Sequence, residues 1–322
     1  MEILCNAVFE GGGMRGIGHV GAIKEFEEAG YKFNSVAGTS AGAIVASLLA
    51  AGYNANELHT IMSIVNFEKF KHANHWYSNV GRTGGFFSVV RNLGIYSADL
   101  FEDWLTELLL KKNIRTFADL KIQLKVIAAN ITEQRILVLP DDLARFGIDP
   151  TTFSVATAVR MSMSIPIFYE PFELRDTNGN LHLIADGGIL SNYPVWVLDD
   201  GFSAPDIPTF GFRFTREHTN ATPTRPNLLT YIKQILHTVM DDEDVFFATI
   251  QGDHERTTFI SPKIGNHTIS AIDFDLPSPQ IEALYQNGRL AAQNFLSTWN
   301  FENWKQTHRI QNLTPDNHLE RP

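Results

Sequence analysis

The chain of 322 residues has a single cysteine, Cys5, and no long hydrophobic run. One thiol cannot form an internal disulfide framework, and such cysteine use is typical of a reducing compartment. Cys5 lies in an apolar run, which favours a buried structural thiol over a nucleophile. No segment approaches the ~20 apolar residues of a membrane-spanning helix, and no basic signal-peptide region is present. The sequence therefore predicts a cytoplasmic protein and leaves peripheral membrane contact open.

Positive charge is also scarce, since 26 lysine and arginine residues stand against 36 aspartate and glutamate residues, a net charge of −10. Such a surface repels phosphate backbones, so the sequence predicts no nucleic-acid partner. The acidic run at residues 241–244 lacks the alternating ligands and turn glycine of an EF-hand loop. A solvated helical face is favoured there over a calcium site. The share of hydrophobic residues, 44%, is that of a globular chain with a sizeable core.

The beginning of the chain alternates predicted strands with predicted helices. Short apolar runs that end in glycine indicate strands, and apolar residues at helical spacing indicate helices. In chain order these are a strand over 3–9, a helix over 17–29, a strand over 33–38 and a helix over 41–51. This order is typical of a parallel sheet with helices packed on it.

Residues 54–120 are predicted to be mostly helical and are rich in aromatic side chains. The aromatic residues between Phe67 and Phe87 either pack in the core or line a groove or lid, and the sequence leaves both open. Later strands are predicted over 123–129, 134–139, 172–175, 181–185, 209–214 and 257–261, and a terminal helix over 284–299.

The segment Gly38-Thr39-Ser40-Ala41-Gly42 matches the pattern G-x-S-x-G between a predicted strand and a predicted helix. In that position the pattern predicts a nucleophile elbow, a tight turn that exposes the serine hydroxyl at its tip. Gly38 and Gly42 have no Cβ, so the backbones on both sides of the turn can approach closely. The N–H groups at the start of the following helix favour negative charge that develops at the serine.

A glycine-rich loop, GGGMRG at residues 11–16, follows the first predicted strand. Gly11, Gly13 and Gly16 also fit the dinucleotide pattern G-x-G-x-x-G. That site requires an acidic residue at the end of the second strand, where this chain has none. We therefore favour an oxyanion hole, in which the N–H groups of Gly11, Gly12 and Gly13 face a carbonyl oxygen and Arg15 adds a nearby cation.

The third motif, Asp186-Gly187-Gly188, directly follows the apolar run at 181–185. A serine hydroxyl is a poor nucleophile near neutral pH and needs an adjacent base. Strand ends of a parallel sheet meet at its carboxyl edge, so Asp186 reaches Ser40 if its strand joins the sheet in the parallel sense. Gly187 and Gly188 would allow a close fit.

The chain has eleven histidines, and the two near a late strand, His254 and His267, do not lie in a motif-like loop. A Ser–Asp–His triad in the order of the α/β-hydrolases needs a histidine downstream of the acid, where only His254 and His267 lie near a late strand. His19, in the first helix, is interpreted as a packing residue. The sequence therefore favours a dyad of Ser40 and Asp186, with a triad as the alternative.

The three motifs lie along the chain in the order GGGMRG (11–16), GTSAG (38–42) and DGG (186–188). In this order they resemble those of the patatin-like phospholipases, as do residues 158–166 and 192–194. The resemblance covers residues 1 to about 200. It implies an α/β fold, a three-layer α/β/α sandwich with a central, mostly parallel sheet. It also implies that Ser40 is the nucleophile, that Asp186 is the general base, and that Gly12, Gly13 and their neighbours form the oxyanion hole. No metal or cofactor is implied. Arg160 either steers a phosphate or has a structural role, which we favour.

By this resemblance the substrate is a phospholipid or related acyl lipid, and fatty acid is released through an acyl-enzyme. Two alternatives stay open: a non-lipid esterase, thioesterase or acyltransferase with the same dyad, and an effector that is inactive until a partner activates it. Residues 1–205 would form the catalytic core. Residues 206–322 would complete the sheet and add helices in the same domain.

Overall fold

The structure is a computed structural model that describes residues 2–65, 67–70, 91–199, 205–216, 231, 234, 238, 251–270 and 276–309. Of the aromatic residues between Phe67 and Phe87, those at 71–87 lie outside the described residues, as does the acidic run at 241–244.

The described strands and helices follow the predicted alternation. The strands are β1 Ile3–Phe9, β2 Tyr31–Thr39, β3 Gly94–Tyr96, β4 Gln123–Asn130, β5 Arg135–Leu139, β6 Ile167–Tyr169, β7 Phe172–Arg175, β8 Leu181–Asp186, β9 Thr209–Phe214, β10 Thr257–Ile260, β11 Lys263–Ile264 and β12 His267–Thr268. The described helices are α1 Ile17–Glu28, α2 Ala41–Ala50, α3 Ala55–Ile64, α4 Asp99–Lys111, α5 Val155–Ser162, α6 Gln251–Glu255, α7 Ser278–Thr298 and α8 Phe301–Arg309.

A mostly parallel sheet of eight strands forms the centre of the fold. The strands β10, β9, β1, β2 and β4 are parallel neighbours in that order. β5 and β8 run antiparallel to β4, and β7 runs antiparallel to β8. The C-terminal strands β9 and β10 therefore belong to the same sheet as β1 and β2.

The strands β2 and β8 run toward each other along one edge of β4, so that their C-terminal ends meet there. Thr39, the last residue of β2, pairs with Ile127, and Asp186, the last residue of β8, pairs with Ala128. Both β4 residues also pair with β5, which therefore occupies the opposite edge. The strand that ends in Asp186 thus does not join the sheet in the parallel sense, which was the condition under which the sequence placed Asp186 beside Ser40. Asp186 still reaches the end of β2, because β4 extends beyond β2 and β8 pairs with that extension from the other direction.

Apolar side chains cover both faces of the sheet. Successive residues of a strand point to opposite faces, and Phe9 lies in the large core under the helices, whereas Val8 lies in a smaller cluster with Val197. The large core includes residues of α1, α2, α5 and α7. The short helix Val195–Leu198 packs on the other face. The predicted α/β/α arrangement around a mostly parallel sheet is confirmed.

The helix α7 packs directly against α1. A Cβ on Gly21 would lie 1.9 Å from the backbone oxygen of Tyr285, and a Cβ on Gly288 would lie 1.9 Å from that of Gly18. The two helix backbones therefore touch, which fixes the C-terminal part of the chain on the N-terminal part.

Two predicted segments differ from the observed ones. The terminal helix begins at Ser278 instead of 284. Pro279 is compatible with this earlier start, because a residue in the first turn of a helix has no intrahelical partner for its N–H. The described part of the segment 54–120 is mostly helical, as predicted, but it also contains the short strand β3, which pairs with β6. Phe67 and Phe70 in that segment are buried against Trp104, so these two aromatic residues pack in the core.

Candidate active site

Ser40 occupies a tight turn between β2 and α2. Its backbone has φ 51° and ψ −121°, a conformation that non-glycine residues rarely adopt and that stores strain. A Cβ on Gly38 would lie 2.4 Å from the carbonyl oxygen of Gly42, and a Cβ on Gly42 would lie 2.2 Å from that of Phe9. Only glycine fits at either position without a shift of backbone atoms, which is the geometry that the G-x-S-x-G pattern predicts.

Asp186 is fully buried at the end of β8. Its Oδ1 accepts a hydrogen bond of 2.8 Å from the N–H of Gly188. A Cβ on Gly187 would lie 2.3 Å from the backbone oxygen of Ile127, so this turn also packs directly on β4. Burial raises the pKa of Asp186 from 3.8 to about 7, and hydrogen bonding from Ser40 and Gly188 opposes this rise.

Ser40 and Asp186 are adjacent where β2 and β8 meet. The hydroxyl of Ser40 lies close enough to the carboxyl to act on its pKa as a hydrogen-bond donor. The Oδ2 atom of Asp186 nevertheless has no partner at full hydrogen-bond geometry in the described part of the chain. Contacts of this kind commonly tighten only when substrate binds. The structure thus brings together Ser40 of the G-x-S-x-G motif and Asp186 of the Asp-Gly-Gly motif, as the sequence predicted.

The histidines whose side chains the structure describes do not hydrogen-bond to either of these residues. His19 is buried in α1, and its Nε2 donates to the backbone oxygen of Glu10 at 2.9 Å. Burial lowers the pKa of His19 to about 4, so the ring is neutral at physiological pH. It packs against Phe9 and Phe214, as expected of a packing residue. His254 lies in α6 and contacts Phe259.

The glycine loop at 11–16 lies beside Ser40. A Cβ on Gly11 would be 3.4 Å from the Ser40 Cβ. The N–H of Gly11 is engaged, because it donates to the backbone oxygen of Asn192 at 3.0 Å. Among the described residues, no hydrogen bond is formed by the N–H groups of Gly12 and Gly13. These two groups are therefore the donors of the predicted set that a ligand could still use.

Arg15 is directed back onto its own loop. Its Nε donates to the backbone oxygen of Gly12 at 3.2 Å, and its guanidinium lies 4.9 Å from the ring centroid of Phe214. These contacts hold the loop in shape. Gly13 has φ 54°, a conformation that favours glycine.

Two residues that sequence reasoning did not single out support the same loop. The Oε2 of Glu10 accepts the N–H of Phe214 at 2.6 Å, which ties the loop to the end of β9. The Nδ2 of Asn192 lies 3.4 Å from the backbone oxygen of Gly11. Asn192 belongs to the family-like stretch 192–194, whereas Glu10 has no sequence signal beyond its position before the glycines.

Arg160 has a structural role, as favoured. Its guanidinium forms ion pairs with Asp99 at 3.1 Å and Glu102 at 3.4 Å and stacks on Phe172. In the described part of the chain, no group of three or more histidine, cysteine, aspartate or glutamate side chains is placed to hold a metal ion. None of the described helices is long and apolar enough to cross a membrane.

Comparison with known proteins adds the family. The model of the patatin-like phospholipase family matches residues 7–199, a stretch that contains all three motifs. The chain belongs to this family. The predicted resemblance is thereby confirmed, and family membership supports a hydrolase that acts on acyl lipids.

The relatives of this patatin-like chain differ in how much of it they cover. YqhO of Bacillus subtilis (strain 168) is 36% identical over 298 residues, which are 92% of this chain and 99% of YqhO. The cUMP-AMP-activated phospholipase of Escherichia coli is 26% identical over 196 residues, 58% of this chain and 54% of that protein. The crystal structure of VipD from Legionella pneumophila superposes with a TM-score of 0.54 at 16% identity, over 92% of this chain and 67% of VipD. The likeness to VipD concerns the fold alone.

Proposed function

We propose that this protein is a serine hydrolase that releases fatty acid from phospholipids, with Ser40 as nucleophile and Asp186 as general base. One observation carries the proposal: a strained elbow serine and a buried carboxyl of raised pKa lie side by side at the junction of β2 and β8. A general base works best when its pKa lies near the operating pH, and the pKa of Asp186 is about 7.

The reaction proceeds in two steps. Ser40 Oγ attacks the ester carbonyl while Asp186 accepts its proton, and the N–H groups of Gly12 and Gly13 stabilise the resulting oxyanion. The tetrahedral intermediate collapses, the C–O bond to the alcohol breaks, and Asp186 returns the proton to the departing lysophospholipid. Asp186 then takes a proton from water, which attacks the acyl-enzyme. The second collapse releases the fatty acid and restores the Ser40 hydroxyl.

The pH dependence of hydrolysis is the direct consequence of the raised pKa of Asp186. Only the ionised carboxylate can accept the serine proton, so kcat/KM is expected to rise about tenfold per pH unit below about 7 and to level off above it. The measurement is a pH profile of kcat/KM with a soluble p-nitrophenyl ester, with folding followed by circular dichroism at each pH. A midpoint near 4, the ordinary value of an aspartate, would contradict the assigned base.

The substrate class is tested with phospholipid vesicles. We expect the purified protein to release fatty acid from phosphatidylcholine vesicles faster than it hydrolyses acyl-CoA, because a lipid surface presents the substrate of this family. Release from vesicles would support peripheral contact of the protein with membranes. Turnover of acyl-CoA or short esters without any release from vesicles would favour the non-lipid esterase or thioesterase. Ser40→Ala serves as the inactive reference in both assays, and Ser47→Ala is its matched control. Ser47 is a buried serine of α2 whose hydroxyl donates to the backbone oxygen of Ile44.

An activator is the second possibility, and the name of the cUMP-AMP-activated relative is what favours it. A fluorophosphonate probe separates the cases, because it reports a reactive serine without requiring a lipid surface. If the probe labels Ser40 but no fatty acid is released from vesicles, the protein needs a partner to engage a membrane. A complete lack of labelling in the isolated protein would indicate a closed site.

A further inference from the structure

The hydroxyl of Ser162, at the end of α5, lies between the end of β2 and the interior of β4. Its Oγ accepts a hydrogen bond of 2.8 Å from the N–H of Ser40 and donates one of 2.5 Å to the backbone oxygen of Ile127. The Ser162 side chain is fully buried. A single hydroxyl therefore bridges the backbone of the elbow serine and the neighbouring strand.

This position is the point where the parallel ladder of β2 and β4 stops. Thr39 and Ile127 are the last paired residues, because the chain turns away from β4 at Ser40. The turn leaves one N–H and one carbonyl oxygen without a ladder partner in the interior, and buried backbone groups without partners are costly. The hydroxyl of Ser162 satisfies both groups, so it replaces one rung of the ladder.

The same segment also holds the backbone of Asp186. The N–H of Asp186 donates to the backbone oxygen of Ser164 at 2.9 Å. Residues 162–164 thus bind one backbone group from each side of the junction, Ser40 through a side chain and Asp186 through the main chain. The distance between the two functional side chains is set in part by this short segment.

We propose that Ser162 is a positioning residue that fixes the Ser40 backbone in reach of Asp186. The inference rests on the proposed function, since it deepens the role of the same site. Ser40 holds a strained backbone conformation, and such conformations persist only where surrounding contacts impose them. Without the Ser162 hydroxyl, the turn loses the contact that anchors its N–H, and the Ser40 oxygen shifts from its place beside the carboxyl.

The experiment compares the rate at which a fluorophosphonate labels Ser40 in the wild type and in Ser162→Ala, well below their unfolding temperatures. Displacement of a reacting group by about 1 Å costs on the order of 10²-fold, so we expect labelling to slow by about 10- to 100-fold. With a soluble ester, kcat is expected to fall while KM stays within about twofold, because Ser162 is buried behind the elbow. Ser162→Thr, which keeps the hydroxyl, is expected to recover most of the rate. Ser47→Ala is the matched control.

The outcomes separate the two proposals. A folded Ser162→Ala variant that labels at the wild-type rate overturns the positioning role and leaves the proposed function intact. A wild type that the probe labels no faster than Ser40→Ala overturns the proposed function of a hydrolase that is active in isolation, and with it the positioning role, and favours the effector with a closed site. If Ser162→Ala does not fold, Ser162→Cys provides the same test, because a thiol occupies the place but forms weaker hydrogen bonds. Wild-type labelling of a folded Ser162→Cys variant would equally overturn the inference.

Discussion

Ser40→Ala and Asp186→Asn are each expected to reduce ester hydrolysis by about 10⁴-fold or more, the loss typical when one member of a nucleophile–base unit is removed. Alanine has no oxygen to attack the carbonyl. Asparagine has nearly the shape of aspartate but cannot accept the serine proton. Initial rates of p-nitrophenyl ester hydrolysis and of fatty acid release from vesicles measure the effect, with Ser47→Ala as the control that keeps wild-type rates.

The double variant adds a sharper criterion. Residues that act as one unit are not additive, so Ser40→Ala combined with Asp186→Asn is expected to be no slower than either single variant. If Asp186→Asn alone keeps more than about a tenth of the wild-type rate, another group must serve as the base. A histidine in the part of the chain outside the described residues would then have to be considered.

Urea denaturation tests whether unfolding causes the expected loss of activity in Asp186→Asn. The folded pKa of Asp186 is raised above its unfolded value, so its contribution to stability is present at low pH and declines as the pH rises toward about 7. Above that pH the wild type carries the cost of a buried charge, and the neutral asparagine does not. Asp186→Asn is therefore expected to unfold at a higher urea concentration than the wild type at pH 8, while it is inactive.

Gly42→Ala is expected to destabilise the protein by about 3 kcal/mol or more, at the upper end of overpacking effects. The added Cβ would lie 2.2 Å from the backbone oxygen of Phe9 and 2.7 Å from that of Glu10. Both atoms belong to the main chain at the end of β1, so no side chain can rotate away. Relief requires α2 to move away from β1, and the elbow and the glycine loop would separate.

Urea denaturation at neutral pH measures this loss, and Gly16→Ala is the matched control. A Cβ on Gly16 would lie 3.5 Å from the Cβ of Ala41, an ordinary contact, and Gly16 has a helical φ of −52°. Its replacement is expected to change stability by less than about 1 kcal/mol. Equal effects at the two positions would show that close backbone contact does not explain the glycine of the elbow.

The sequence predicted the places where the functional turns lie better than the directions of the strands that carry them. Ser40 and Asp186 were both found from local patterns, because a glycine after an apolar run indicates a sharp turn. The direction of β8 could not be predicted in this way, because strand pairing depends on contacts between distant segments of the chain. The register that places Asp186 opposite Ala128 leaves no local trace in the chain.

The supporting residues show the same division. Ser162 lies in a family-like stretch, yet nothing in that stretch indicates that its hydroxyl bonds to the backbone of Ser40. The predicted donor set of Gly11, Gly12 and Gly13 is narrowed only by the contact between Gly11 and Asn192, which joins two distant parts of the chain. Side-chain and loop contacts of this kind follow from the finished fold and cannot be deduced from spacing.

The head-on arrangement of β2 and β8 also bears on the order in which the enzyme is completed. The nucleophile, the glycine loop and α2 all belong to the first part of the chain, whereas the carboxylate arrives on a strand that needs the far extension of β4 as its template. Strands that are far apart in the chain, such as β4 and β8, are expected to pair late in folding, because the entropy of closing the long loop between them must be overcome first. On the proposed mechanism, a nascent chain that has formed only its early strands would carry the Ser40 nucleophile without its base, and reactivity would begin only when β8 pairs with β4.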